Sequence, residues 1–81
     1  MYVRNAHGDY TMPDVEIGNC YCCVEGCSKR ATDRAHVRIC DQFGNILDRT
    51  VYIVPMCAEH NRSRTNSPLK ISNYIQLKKI N

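Results

Sequence analysis

Six cysteines in a chain of 81 residues constrain this fold more than any other feature. They are Cys20, Cys22, Cys23, Cys27, Cys40 and Cys57. A chain this short buries a modest core, so small domains usually need disulfides or a bound metal for stability. Cys57 is followed three residues later by His60, and a disulfide framework would not require that histidine. The pattern therefore favours a metal site over three disulfides.

The first twenty residues contain no apolar run of signal-peptide length, and no stretch of the chain approaches the roughly 18 apolar residues of a membrane span. We therefore expect a soluble cytoplasmic protein with no membrane partner. Cysteines stay reduced in that compartment, where spaced pairs indicate metal ligands.

Structural zinc sites take four tetrahedral ligands, usually as two short-spaced pairs of cysteine and histidine. Cys57 and His60 can share one helix face, so both can bind one ion. In the upstream pair Cys27 is one ligand, and its partner is either Cys22 or Cys23. Adjacent cysteines on a tight turn point apart, so only one should reach the ion. We favour Cys22, because the longer gap leaves room for the Val-Glu-Gly turn.

Cys20, Cys23 and Cys40 are then left as free thiols. Cys40 ends a strand-like segment and is expected to be a small buried apolar residue, whereas Cys20 is an alternative ligand. Metal binding in small zinc modules contributes on the order of 10–16 kcal/mol at pH 7, so we expect folding to depend on zinc.

The central segment has the pattern of a β-hairpin followed by a helix. Apolar residues alternate with polar ones from Asp33 to Cys40, which predicts a half-buried strand. Residues 41–45 form a turn in which Gly44 can take positive φ, and residues 50–54 form a second strand, which Pro55 ends. A short helix is predicted from Met56 to about Arg64.

The two ends of the chain give weaker signals. Residues 1–19 are expected to form a loose or short-stranded N-terminal arm, and residues 20–66 the zinc-binding core. Residues 67–81 are a basic C-terminal extension packed on or near that core. Within 68–80, Ser67 and Pro68 are typical of a helix start, whereas the apolar residues alternate as in a strand. We favour the strand.

Two motifs in this order, AHV at 35–37 and YIVPMCAEHN at 52–61, resemble the HNH branch of the His-Me finger superfamily. The resemblance covers roughly residues 22–64. It implies a small α+β, zinc-stabilised domain of the treble-clef or ββα-metal kind, with a zinc knuckle, a β-hairpin, a short helix and a C-terminal strand. It places the structural zinc at Cys22, Cys27, Cys57 and His60.

The same resemblance implies a nuclease centre in which His36 is the general base and Asn61 a ligand of Mg²⁺ or Mn²⁺. Two supporting positions depart from the family pattern. Ala35 stands where active members commonly have an aspartate, and Tyr52 stands where they have an asparagine. Asp33 is the nearby residue that could replace the missing carboxylate.

The charge pattern suggests an anionic partner. The net charge is +3, and from Arg62 onward the chain contains basic residues and no acidic residue. The first hypothesis is a zinc-binding module that binds nucleic acid, with DNA favoured over RNA, without efficient catalysis. Its phosphate contacts would come from Arg34, Arg38, Arg62, Arg64 and Lys70. The alternatives are a divalent-metal-dependent endonuclease, which leaves enzymatic activity open, and a small zinc scaffold that binds another protein.

Overall fold

A computed structural model describes residues 1–6, 20–62 and 67–79 of the chain. Its strands are β1 (Tyr2–Asn5), β2 (Asp33–Cys40), β3 (Tyr52–Met56), β4 (Leu69–Lys70) and β5 (Lys78–Lys79), and its helix is α1 (Ala58–Asn61). The strands form one sheet in the order β4-β1-β2-β3-β5, and every neighbouring pair is antiparallel. The fold is a small α+β domain, as expected from the sequence. No helix in the described ranges has the length and apolar character needed to cross a membrane.

The centre of the sheet is the predicted hairpin. Strand β2 has the predicted bounds, and it pairs with β3 so that Ala35 lies opposite Val54 and His36 opposite Ile53. Successive side chains of a strand point to opposite faces of the sheet. Ala35 and Val54 therefore share one face, and both are fully buried there. The alternation of apolar and polar residues that predicted β2 therefore corresponds to one buried face of the strand.

The main core lies on that face of the sheet. Its largest fully buried apolar side chains are Met56, Ile71, Val3, Val37 and Val54. Cys22, Cys23 and Cys57 belong to the same cluster. Three of its nine buried members are therefore cysteines, so the candidate metal centre is part of the core rather than an addition to its surface.

Strand β3 does not end before Pro55 as predicted, because Pro55 pairs with Arg34 and the strand runs on to Met56. The carbonyl of Pro55 accepts a hydrogen bond of 2.9 Å from the backbone N–H of Cys23, on the side away from β2. The N and O of one strand residue point to the same side, so the missing N–H also points away from β2. Proline therefore removes no bond between β2 and β3.

The helix is shorter at its start than predicted. Met56 is the last residue of β3, Cys57 has extended backbone with φ −72° and ψ 157°, and α1 begins at Ala58. The helix ends at Asn61, and the predicted end near Arg64 lies outside the described residues.

The C-terminal segment forms two short strands rather than one. Strand β4 pairs with β1 at one edge of the sheet, and β5 pairs with β3 at the opposite edge. A turn closed by the Ile75 N–H and the Ser72 carbonyl, 3.2 Å apart, separates them. The alternating apolar residues at 69–71 and 75–77 therefore belong to two segments separated by a turn, and not to one continuous strand.

The N-terminal segment supplies a central strand. Strand β1 lies between β4 and β2, and Val3 is fully buried. The remainder of the predicted arm, residues 7–19, lies outside the described residues.

Candidate metal centre

The upstream cysteines are positioned by a tight turn. The N–H of Cys27 donates to the carbonyl of Val24 over 3.0 Å, which closes a four-residue turn. Gly26, the third residue of this turn, has φ 83°, a value that favours glycine and is required there in a type II turn. The N–H of Cys22 donates to the carbonyl of Lys29 over 2.9 Å. The turn thereby brings Cys22 and Cys27 to one side of the segment.

The downstream pair lies where β3 passes into the helix. Cys57 immediately precedes α1, and His60 lies in its last turn, so both side chains face the upstream turn. Cys57 Sγ lies 3.1 Å from His60 Nδ1. Cys57 precedes the helix instead of lying on its face as expected, but the spacing of three residues still brings the pair together.

The four predicted ligands form one cluster. The ligand atoms of Cys22, Cys27, Cys57 and His60 all lie within 4.8 Å of one another. Cys22 Sγ lies 3.6 Å from His60 Nδ1. Zinc bonds of about 2.3 Å to sulfur and about 2.0 Å to nitrogen imply S···N edges of about 3.5 Å and S···S edges of about 3.8 Å in a tetrahedron. The donor set and its spacing therefore fit a metal ion such as zinc.

Cys22, and not the adjacent Cys23, is the cysteine that the structure places in the cluster. Cys23 is fully buried in the apolar core, and burial raises the pKa of its thiol to about 12. A thiol held in its neutral form among apolar side chains behaves as a small hydrophobic residue. Cys20 is half-buried and lies outside the cluster, and Cys40 is buried, as expected, at the end of β2.

The electrostatics of the cluster favour a bound cation. Burial raises the pKa of the Cys22 thiol to about 11. Burial also acts to raise the pKa of Cys57, but the backbone N–H groups of His60 and Glu59 and the thiols of Cys22 and Cys27 outweigh it, and the pKa is lowered. Several thiolates this close together repel each other in a medium of low dielectric constant, and a divalent cation relieves that repulsion.

Side chains around the cluster hold the helix against the sheet. Asn5 Nδ2 donates to the carbonyl of His60 over 2.8 Å, and Asn61 Nδ2 donates to Asp33 Oδ2 over 2.9 Å. An ion pair between Lys29 and Glu59 joins the upstream turn to α1. The Asn5 contact was not predicted, because 55 residues separate the two partners and no local pattern connects them.

The predicted catalytic pair is not brought together. Asp33, which binds Asn61, lies three residues before His36 on β2, and the unbroken register with β3 places these two positions on opposite faces of the sheet. His36 therefore lies on the face away from α1, and burial lowers its pKa below the ordinary value. Asp33, considered as a replacement carboxylate, is brought to Asn61 but not to His36.

The predicted phosphate-contacting residues are divided among several parts of the surface. Arg34 and Arg38 share the face of His36, and Arg62 is exposed directly after α1. Lys70 lies in β4 at the sheet edge, 3.7 Å from the Glu25 carboxylate. Arg64 lies outside the described residues.

Tyr52, which replaces the asparagine of the family pattern, donates its hydroxyl hydrogen to Asp48 Oδ2 over 2.8 Å. The hydroxyl group is therefore used within the protein and does not face a catalytic centre.

No protein family model, characterised protein or solved structure matches this chain. The Cys3His cluster is accordingly established by the geometry alone, and the resemblance to the HNH branch rests on the quoted motifs.

Proposed function

We propose that the chain is a structural zinc module of the HNH-like, treble-clef kind that binds nucleic acid without cleaving it. The observation that carries the zinc assignment is the Cys3His cluster with its ligand atoms within 4.8 Å. Four protein ligands complete a tetrahedron and leave no position for a substrate or a reactive water, which is the arrangement of structural rather than catalytic zinc sites. Two of the ligands, Cys22 and Cys57, are buried.

The order of the elements supports the HNH-like assignment. After β1, a cysteine turn at residues 20–27 is followed by the β2–β3 hairpin and then by the junction of β3 and α1, which carries the second ligand pair. This is the order that the resemblance predicts. The zinc ion would link the upstream turn to the junction between β3 and α1, and so add to the Lys29–Glu59 ion pair and the Cys23–Pro55 hydrogen bond.

The positive charge supports a nucleic-acid partner. The chain has a net charge of +3, and Arg34 and Arg38 lie on the sheet face opposite α1. Cleavage is not proposed, because a general base must lie within hydrogen-bond reach of the water that it activates at the metal, and His36 is separated by the sheet from Asn61. DNA remains the favoured target.

The zinc assignment is tested by comparing two adjacent cysteines. Purified wild-type protein and the Cys23→Ala variant should each contain one zinc per chain by elemental analysis and native mass spectrometry. The Cys22→Ala variant should lose zinc, because Cys22 is the one of these two adjacent cysteines that belongs to the cluster. A folded wild-type protein without metal, or a Cys22→Ala variant with full zinc occupancy, would refute the assignment.

The nucleic-acid assignment is tested by measuring affinity for DNA and RNA oligonucleotides between about 50 and about 200 mM salt. Contacts with about three phosphates predict a slope of log K against log salt near −2 to −3. Affinity that does not change with salt would contradict phosphate contact. A plasmid assay with Mg²⁺ or Mn²⁺ should show equal traces of cleavage for wild type and His36→Ala. Cleavage lost only in the variant would instead establish the endonuclease.

A further inference from the structure

The segment from Asp41 to Arg49 joins β2 to β3 and is built as a fixed loop. Asp41 Oδ1 accepts hydrogen bonds from the N–H groups of Phe43 and Asn45 over 2.8 and 2.9 Å, and Asp41 Oδ2 accepts one from Asn45 Nδ2 over 3.0 Å. Gly44 has φ 89°, and its N–H donates to the Asp41 carbonyl over 3.1 Å. One carboxylate therefore fixes the tip of the loop.

Contacts with the sheet hold the rest of this segment in place. Arg4 Nη1 donates to the carbonyl of Gly44 over 2.8 Å, and the N–H of Leu47 donates to the carbonyl of Ile39 over 2.9 Å. Asp48 accepts hydrogen bonds from Thr50 and Tyr52. Both carboxylates of the loop, Asp41 and Asp48, are thus engaged in its own hydrogen bonds, which lower their pKa values.

This fixed loop presents large apolar side chains to solvent. Phe43 is 78% exposed, Leu47 66% and Ile46 39%, so three of the six exposed large hydrophobic residues in the described part of the chain lie within five positions. Isolated exposed apolar residues are ordinary, but a local group of them commonly marks a binding surface. The hydrogen bonds of Asp41 hold Phe43 at the tip instead of allowing it to fold back.

A cationic cleft lies beside the loop. It has a volume of about 280 Å³ and is lined by Arg38, Ile46 and Arg49. Arg38 Nε donates to the carbonyl of Arg49 over 3.3 Å, which links the two arginines across the cleft. Guanidinium groups offer several donors in one plane and suit phosphate oxygens well. The cleft thus combines two cations with an apolar wall.

We propose that this loop and cleft bind single-stranded nucleic acid, with Phe43 stacking on a base and Arg38 and Arg49 contacting the adjoining phosphates. The proposal rests on the proposed nucleic-acid function and names the target and the surface. Proteins bind single strands by combining aromatic rings with a cationic groove, and here the loop that exposes Phe43 also contributes Ile46 and Arg49 to the cationic cleft. Bases in a duplex are stacked on one another, so a ring on a loop tip reaches a base face there only by unstacking a base step, which a single strand does not require. A second copy of the chain would bring like charges together.

The test measures the affinity of the zinc-loaded full chain for single-stranded oligonucleotides of about 15 nucleotides, in DNA and RNA form, and for a duplex of similar length. Phe43→Ala should weaken single-strand binding by about 5- to 150-fold, since stacking contributes about 1–3 kcal/mol per base, and should leave the salt dependence unchanged. Arg49→Ala should weaken binding and reduce the salt slope by about one unit.

The matched controls are Tyr74→Ala, which removes an aromatic side chain that is 81% exposed, and Arg30→Ala, which removes an exposed arginine near the upstream turn. Both controls should bind as the wild type does, and all variants should retain one zinc per chain and the wild-type circular dichroism spectrum. The zinc content and the circular dichroism spectrum distinguish a variant that has lost a contact with nucleic acid from a variant that has lost its fold.

Each other outcome overturns a specific part of the proposal. Unchanged single-strand affinity in Phe43→Ala and Arg49→Ala, or binding of duplex alone, refutes the loop site and leaves the proposed nucleic-acid function intact. Binding of polyglutamate as tight as that of the single strand, insensitive to Phe43→Ala, refutes base stacking. A wild-type protein that binds no nucleic acid refutes both proposals.

Discussion

Removal of zinc is expected to unfold the protein. An apparent zinc-binding free energy of about 10–16 kcal/mol corresponds to dissociation constants between tens of nanomolar and about picomolar. A strong chelator that buffers free zinc well below the picomolar range should therefore empty the site. By comparison, a core in a chain of about 70–80 residues rarely supplies more than about 3–5 kcal/mol of net stability.

The composition of the core places this protein at the low end of that range. Among the residues that the structure describes, the largest fully buried side chains are Met56, Ile71, three valines and two cysteines, with no leucine or phenylalanine. One of those cysteines, Cys22, is a predicted ligand. Without the ion the upstream turn keeps only the exposed Lys29–Glu59 ion pair and its core contacts against α1 and β3, and we expect these not to offset the conformational entropy of the chain.

The assay follows the dispersion of amide signals in NMR spectra and the near-ultraviolet circular dichroism while chelator is added, and then while zinc is restored in excess. We expect the dispersion of the amide signals to be lost when zinc is removed and to return when zinc is restored. The Cys40→Ala variant is the control, because Cys40 lies outside the cluster. This variant should lose and regain its structure at the same chelator and zinc concentrations as the wild type. A chelated wild-type protein that keeps dispersed signals and a cooperative thermal transition would refute the dependence of folding on zinc.

Three further predictions follow from the site and the core. Zinc binding to the unfolded chain should release about three thiol protons. In chelator competition near neutrality, the logarithm of the apparent zinc affinity should therefore rise by about three per pH unit. A slope of one or less would contradict three thiolate ligands. Met56→Ala should lower the free energy of unfolding of the zinc-loaded protein in urea by about 2–5 kcal/mol, because Met56 is fully buried, and a loss below about 1 kcal/mol would contradict that packing. Burial lowers the pKa of His36, so its imidazole should titrate in NMR below pH 6.5, and its contribution to stability should be present above that pH and be lost as the pH falls; a midpoint at or above 6.5 would be inconsistent with this burial.

The parts of the fold that the sequence predicted well are those set by local spacing. Alternation over eight residues located β2 because one of its faces is buried in the core. The metal cluster could be predicted for a similar reason, since a turn closed at Gly26 and a spacing of three residues between Cys57 and His60 fix each ligand pair locally. The rule that adjacent side chains diverge indicated that only one of Cys22 and Cys23 reaches the ion, and the longer gap before Cys27 favoured Cys22, which the cluster contains.

The parts that escaped prediction depend on contacts between distant segments. Alternation within 68–80 favoured a strand, but β4 and β5 have two residues each and pair with β1 and β3 at opposite edges, so no periodicity of their own could reveal that there are two. Pro55 usually indicates a strand end, but its effect depends on which side of β3 its nitrogen faces, and that is set by pairing with β2. The separation of His36 from Asn61 likewise follows from strand register and not from the motif.

The two faces of the sheet differ in what they contribute. The face of α1 carries the core and the metal cluster, whereas the opposite face carries His36, Arg34 and Arg38 next to the 41–49 loop. If zinc acts only through folding, substitutions of its ligands should change nucleic-acid affinity in proportion to the folded fraction and leave the affinity of the folded molecules unchanged. Substitution of Phe43 should leave the folded fraction unchanged and lower the affinity of the folded molecules, because a side chain that is 78% exposed contributes little to stability. A ligand variant that stayed fully folded and still lost nucleic-acid binding would mean that the metal centre itself forms part of the binding surface.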